Sequence, residues 1–182
     1  MQASQWPHAP NARDENRDTT LNRAADYSTV FLRFALGSSL LSAVADRFGL
    51  WGAYGQPHVA WGDFAHFVAY TGKLNWFVPT TLLPALAWVS TVAELLLGLA
   101  LIVGLFTQIA ALLSGMMFSL FALAMTVALG VKAPLDFSVF SASAGAFLLA
   151  AYGKYPLSAD ASRKRNGRNG RGTLPRDPGP QA

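Results

Sequence analysis

The chain contains no cysteine. That absence removes thiol nucleophiles, disulfide exchange, disulfide staples and cysteine-held metal or iron–sulfur centres together. Any redox role must rest on a bound cofactor or a partner protein. Charge is scarce as well. Of 182 residues, 13% are charged and 52% hydrophobic, whereas ordinary globular domains carry about 25% charged residues. Between residues 83 and 131 the only ionisable side chain is Glu94. A segment of that kind has nothing polar to turn toward water. Also missing are a strand–glycine loop–helix phosphate motif, a Ser-His-Asp order and a paired-carboxylate site. Residues 1–26 are polar, with no apolar core, so no cleaved signal peptide is read there and the first apolar segment is expected to be retained as a signal anchor.

What is present comes in long apolar blocks. A helix needs about 20 apolar residues to span the hydrocarbon. Four segments qualify: residues 27–45, 81–106, 108–130 and 135–152. The second and third are joined by the short turn Gly104-Leu105-Phe106-Thr107-Gln108 and should form an antiparallel hairpin. The fold expected is all-α: an integral membrane four-helix bundle over residues 27–156. A disordered N-tail (1–26) and a disordered basic C-tail (157–182) flank it. The C-tail mixes Arg, Asn, Gly and Pro and cannot build a core.

Basic residues orient the chain. The N-tail holds Arg13, Arg17 and Arg23, and the C-tail holds Lys154, Arg163, Lys164, Arg165, Arg168, Arg171 and Arg176. The connections after the first and third helices hold only Arg47, Lys73 and Lys132. An even helix count puts both tails on the positive side, so both termini are expected in the cytoplasm of a bacterial inner membrane. The basic C-tail follows a membrane helix and has no interleaved aromatics. Anionic inner-leaflet lipid is its expected contact, at about 1 kcal/mol per basic residue near the surface, and not nucleic acid.

Residues 48–80 are long for a loop and rich in aromatics, from Phe48 and Trp51 to Trp76 and Phe77. Trp61, Phe64, Ala65 and Val68 fall at i, i+3, i+4 and i+7, which predicts an amphipathic helix lying at the outer membrane surface. A fifth spanning helix is disfavoured by Gly55, Pro57, Gly62, Gly72 and Pro79.

Two charges fall at membrane depth. Arg33 lies about six residues into the first helix and Glu94 about 12 into the second, roughly 9 and 18 Å from their inner ends. Such charges cost about 2.5–3.5 kcal/mol on insertion scales and pair up or line cavities. The reading preferred from sequence is a direct or water-bridged Arg33–Glu94 pair. Arg33 reaching the headgroups, or a protonated Glu94 hydrogen-bonded inside the bundle, are the alternatives. Ala87, Thr91, Glu94 and Gly98 share one helical face and should point inward, with Thr91 as a polar neighbour of Glu94. Ser141 and Gly145 suggest close helix packing. At the outer end, Asp46, Arg47 and Asp136 form a candidate ion-pair set. Asp63 and His66, with His58 nearby, match no standard metal spacing, and no metal is expected.

Within residues 28–156, the run Arg33-Phe34-Ala35-Leu36-Gly37, the run Glu94-Leu95-Leu96-Leu97-Gly98 and the turn Val103-Gly104-Leu105-Phe106-Thr107 resemble the DoxX/DoxD family of small bacterial membrane proteins. Asp46-Arg47-Phe48-Gly49 and Trp61-Gly62-Asp63-Phe64 resemble one bacterial branch of it. Gln108 departs from the basic residue that many members carry after the turn. The resemblance implies a four-helix membrane bundle. It also implies an accessory or quinone-contacting role in a redox-linked membrane complex, with an oxidoreductase subunit as partner and quinone as the candidate cofactor. On its own the chain is not expected to be an enzyme. The competing reading is a small-solute or proton-coupled transporter, which at this size would act as a homo-oligomer.

Overall fold

The computed structural model describes residues 12–162. Among the described residues every regular element is helical. Helix α1 spans Ala12–Arg47, α2 Phe64–Leu74, α3 Leu83–Val103, α4 Thr107–Leu129, α5 Lys132–Asp136 and α6 Val139–Tyr152. A 3₁₀ turn, Thr80–Leu82, leads into α3. Among the described residues three helical stretches are long and apolar enough to cross a membrane: Asn16–Arg47, Thr80–Val103 and Thr107–Leu129. Helix α6 is apolar but has only 14 residues, a rise of about 21 Å. Their outward faces stay apolar, with Leu96 60%, Leu120 64% and Leu148 67% exposed. Large apolar side chains over every outer face suit lipid and not water, and mark a membrane protein.

The helix boundaries follow local chemistry. Pro84 sits in the first turn of α3, where its missing N–H costs nothing. Gly104 ends α3 in the left-handed region at φ 76°, and the N–H groups of Gly104 and Leu105 both donate to the Ala100 carbonyl. This compact turn produces the expected α3–α4 hairpin. Lys132, Ala133 and Pro134 open α5, and the left-handed Ser138 (φ 55°) separates it from α6. The fourth apolar segment is therefore two helices and not one.

Helix α1 packs on α3, α3 on α4, α4 on α6 and α6 on α1. Leu36, Leu40, Leu101, Ala110, Ala111, Phe118, Ala146 and Leu149 make the shared core. The α1–α3 contact is backbone-close: a Cβ on Gly37 would lie 2.7 Å from Ile102 Cγ1 and 2.9 Å from the Gly98 carbonyl. Gly37 opposite Gly98 sets the antiparallel register of these helices. The inward face expected of α3 is the buried one: Ala87, Thr91, Glu94, Gly98 and Leu101. On α6 the buried face is Ser143, Ala146, Leu149 and Ala150. Ser141 lies off it and is exposed, while Gly145 abuts Leu32 of α1. Ser143, rather than Ser141, makes the close α4–α6 contact, donating to the Gly115 carbonyl at 3.0 Å.

Three further expectations change. The helix placed in residues 48–80 is there, capped by Asp63, but its buried stripe is Phe67, Thr71 and Leu74. Trp61 precedes the helix and Ala65 is exposed, because α2 leans on α3 and α4 through the face about a third of a turn round. Residues 12–26, assigned to the disordered N-tail, continue α1; residues 1–11 lie outside the described set. Residues 157–162, assigned to the disordered C-tail, are docked. The Asp160 carboxylate accepts from Phe106 N, Thr107 N and Thr107 Oγ1 at 3.0, 2.8 and 2.9 Å. It thereby caps the start of α4, where Phe106 is left-handed and offers no side-chain cap. The remaining basic tail lies outside the described residues. Tyr152 Oη donates to Asp26 at 3.3 Å, so the start of α1 and the end of α6 share one end of the molecule.

Candidate functional site

Helix α1 ends in Asp46-Arg47, and the two side chains part there. The Asp46 carboxylate accepts from the backbone N–H of Ala60 at 3.0 Å and of Trp61 at 2.8 Å, fixing the far end of the aromatic loop. Arg47 turns inward. Its Nη2 meets both Glu94 oxygens at 2.7 Å, and its Nη1 donates to Thr91 Oγ1 at 2.7 Å. The Thr91 hydroxyl in turn donates to the Ala87 carbonyl at 2.7 Å. Arg47, Thr91 and Glu94 are 2%, 2% and 1% exposed. Phe67 covers the guanidinium with its ring centroid 3.6 Å away, and Trp61 lies at 5.3 Å, a desolvated cation–π arrangement.

The geometry thus assigns Glu94 a different partner from the one expected. Arg33 and Glu94 do not pair. With Gly37 opposite Gly98, antiparallel packing places Arg47 beside Thr91 and Arg33 beside Ile102. Arg33, 2% exposed, donates to the carbonyls of Ile102 at 3.3 Å, Pro156 at 3.4 Å and Leu157 at 2.9 Å. Its hydrogen bonds run to the end of α3 and to the strap that follows α6, and not to a carboxylate.

The other polar candidates also separate. Asp63 and His66 form a local unit: Oδ1 accepts the His66 N–H at 2.9 Å, and Oδ2 lies 2.8 Å from Nδ1. The His66 backbone N–H, then its ring, hold the Asp63 carboxyl below its ordinary pKa. The Tyr54 ring stacks on His66 at 3.7 Å. Asp136 is exposed and pairs with Lys132 within α5, so it does not join Asp46 and Arg47. No cluster of three potential metal ligands occurs among the described residues.

Beside Arg47 and Glu94 lies a chamber of about 1160 Å³, half open to the outside, lined by α1, α2, α3 and α4 and by Phe137 and Val139 at the start of α6. Leu40, Ala43, Phe67, Leu74, Phe118 and Met125 are among its apolar walls. Tyr54, His66, Tyr70 and Lys73 add polar groups on the α2 side. An apolar cavity with a few convergent polar groups is the usual form of a small-molecule site. Sequence reading overlooked both the chamber and the Arg47–Glu94 contact. The available signal was the Gly37–Gly98 spacing, since two glycines at helix mid-length invite close antiparallel contact and so set which side chains meet.

No family model, curated protein or solved structure matches this chain.

Proposed function

We propose that this chain is a DoxX-type protein of the bacterial cytoplasmic membrane. In this reading α1, α3, α4 and the α5–α6 segment form a four-helix transmembrane bundle, with both termini cytoplasmic and α2 at the outer face. Support comes from the three long apolar helices, from the shared end of Asp26 and Tyr152, and from the excess of basic residues in the tails. The chain acts as an accessory, quinone-contacting subunit of a redox-linked membrane complex.

The observation that carries this reading is the chamber of about 1160 Å³ beside the buried Arg47–Glu94 pair. It is large enough for a lipid-soluble head with part of its tail, and it offers polar groups only at fixed points. A proton-coupled transporter fits less well, because it needs a carboxylate free to exchange protons with the cavity, and both Glu94 oxygens are held by Arg47. The test is purification in mild detergent from quinone-replete membranes, followed by solvent extraction. Quinone enriched several-fold over its ratio to bulk lipid, together with a co-purifying oxidoreductase subunit, is the expected result. Quinone at the bulk ratio and no such subunit would overturn the reading.

A further inference from the structure

We infer that the chamber opens sideways into the outer half of the bilayer, where α6 stops short, and admits the hydrocarbon chain of a membrane-dissolved amphiphile rather than a solute from water. This deepens the proposed function and rests on its reading of the chamber as a ligand site with α2 at the outer face. The opening follows from a length mismatch. Helix α6 has 14 residues, a rise of about 21 Å, against about 30 Å of hydrocarbon. Its antiparallel packing on α4 is close: a Cβ on Gly115 would lie 2.8 Å from the Phe147 ring, and the Ser119 and Ser143 hydroxyls meet at 2.7 Å. One more step of four residues along each helix brings Leu123 beside Val139, where α6 begins. Against α1, Tyr152 meets Asp26 and Gly145 abuts Leu32. The same count places Val139 at the level of residues 38 and 39. Ser39, Leu123 and Val139 all line the chamber, so the chamber starts where α6 ends. Helix α5 packs on α4 and α6, and on α1 Ser39 is left exposed.

The depth of the lining decides what fills it. Ser39 precedes Arg47, the outer end of α1, and Leu120 precedes Leu129, the outer end of α4. At 1.5 Å per residue they lie about 12 and 14 Å below those ends, close to half the hydrocarbon thickness. The α4 wall of the chamber passes from the buried Phe118 and Met125 to Leu120 and Leu123, which are 64% and 57% exposed. The cavity surface is therefore continuous with the apolar outer face of that helix. An opening with such sides at such a depth borders lipid chains and not water. Tyr54, His66, Tyr70 and Lys73 stand instead on the α2 side of the lining, near the outer surface. A chain lying in the gap with its head toward α2 matches both halves of the site. The geometry selects the chain and leaves the charge of the head open.

The test uses the full chain in vesicles of phosphatidylethanolamine and phosphatidylglycerol. A trace of phosphatidylcholine with a diazirine at the middle of its acyl chain is added, and adducts are mapped by peptide mass spectrometry after illumination. Leu96 and Leu148, exposed on the outer faces, report ordinary lipid contact. Leu40, Phe118 and Met125 are buried and line the chamber, so a chain reaches them through it. Adducts on these three residues are expected from the lipid probe and not from a water-soluble diazirine. Ser39→Trp, which narrows the opening, should lower them several-fold relative to Leu96. Labelling of Leu96 without the chamber residues overturns the inference, as does chamber labelling by the water-soluble probe at the level of the lipid probe. Unchanged chamber labelling in a folded Ser39→Trp protein overturns the position of the opening. Chamber labelling by the lipid probe in a protein that carries quinone only at the bulk ratio upholds the inference and sinks the proposed quinone role. Enriched quinone with unlabelled chamber residues does the reverse. The wild-type comparison of the two probes decides the matter even if the variant fails to fold.

Discussion

Two arginines on one helix are buried to the same degree, 2% exposed each, and are solved in opposite ways. Arg47 meets a carboxylate, a hydroxyl and an aromatic face. Arg33 donates its hydrogen bonds to backbone carbonyls, at the end of α3 and in the strap after α6, with the Phe34 ring centroid 5.6 Å from its guanidinium. The first arrangement joins elements distant in sequence and borders a chamber. The second ties three chain segments together at one end of the bundle and borders none. Carbonyls can hold a cation because the last turn of a helix leaves them unpaired, and Ile102 lies in the last turn of α3. A carboxylate is needed where no helix end supplies such groups, as at mid-α3. The contrast indicates that depth alone does not mark a functional charge; its partner does.

The sharpest way to break this contrast is to remove Glu94's carboxylate. Glu94→Gln should destabilise the protein by about 3–5 kcal/mol, because it strands a buried guanidinium. The double change Arg47→Leu with Glu94→Leu should recover most of that loss. A thermal-denaturation double-mutant cycle in detergent should return a large coupling for Arg47 with Glu94 and a coupling near zero for Arg33 with Glu94. The reverse pattern would refute the assigned pairing.

The register that separates the two arginines can be attacked next. Gly98→Leu should cost more than Gly98→Ala, since even a Cβ at Gly98 would lie 2.9 Å from Leu41 and 3.1 Å from the Gly37 carbonyl. Overpacking of this kind costs about 1–3 kcal/mol. Both variants should lower the melting temperature, with the larger side chain lowering it further.

At the Arg33 end, Asp160→Ala removes the cap of α4 and should cost about 0.5–2 kcal/mol, the range for a lost helix cap. It should also speed tryptic cleavage at Lys154, since the strap loses its tie to Thr107. Unchanged proteolysis would show that Arg33 holds the strap without help.

The smallest effect belongs to Asp63. Its carboxyl titrates below the usual range because the His66 N–H stabilises the charged form. Its contribution is therefore present at pH values above the unfolded pKa, about 4, and is lost as pH falls through the lower folded value. Amide exchange at His66 should accelerate only on that acid side, and Asp63→Asn should abolish the pH dependence.

Hydropathy and charge were enough to place the long helices, the α3–α4 turn and the inward face of α3, because lipid solvation acts on each segment separately. A helix must be apolar along its length whatever its neighbours do, and glycine must occupy the left-handed turn at residue 104. The reading of the strap as disorder failed for a related reason. Leu157 and Asp160 have no local signal, and their order comes from Arg33, 124 residues before Leu157, and from Thr107, 53 residues before Asp160. The face of α2 was misjudged because its stripe was counted from Trp61, which stands before the helix begins.

Composition by itself determined that this chain is helical, apolar-faced and suited to a membrane, since those properties follow from residue-by-residue transfer from water to lipid. Only the tertiary structure decided that Glu94 belongs to Arg47, that Arg33 belongs to the strap, and that a chamber opens beside the former. The physical reason is register. A shift of one helical turn, about 5.4 Å, changes which side chains meet, and that shift is set by the contact of Gly37 with Gly98 rather than by the hydropathy of either helix.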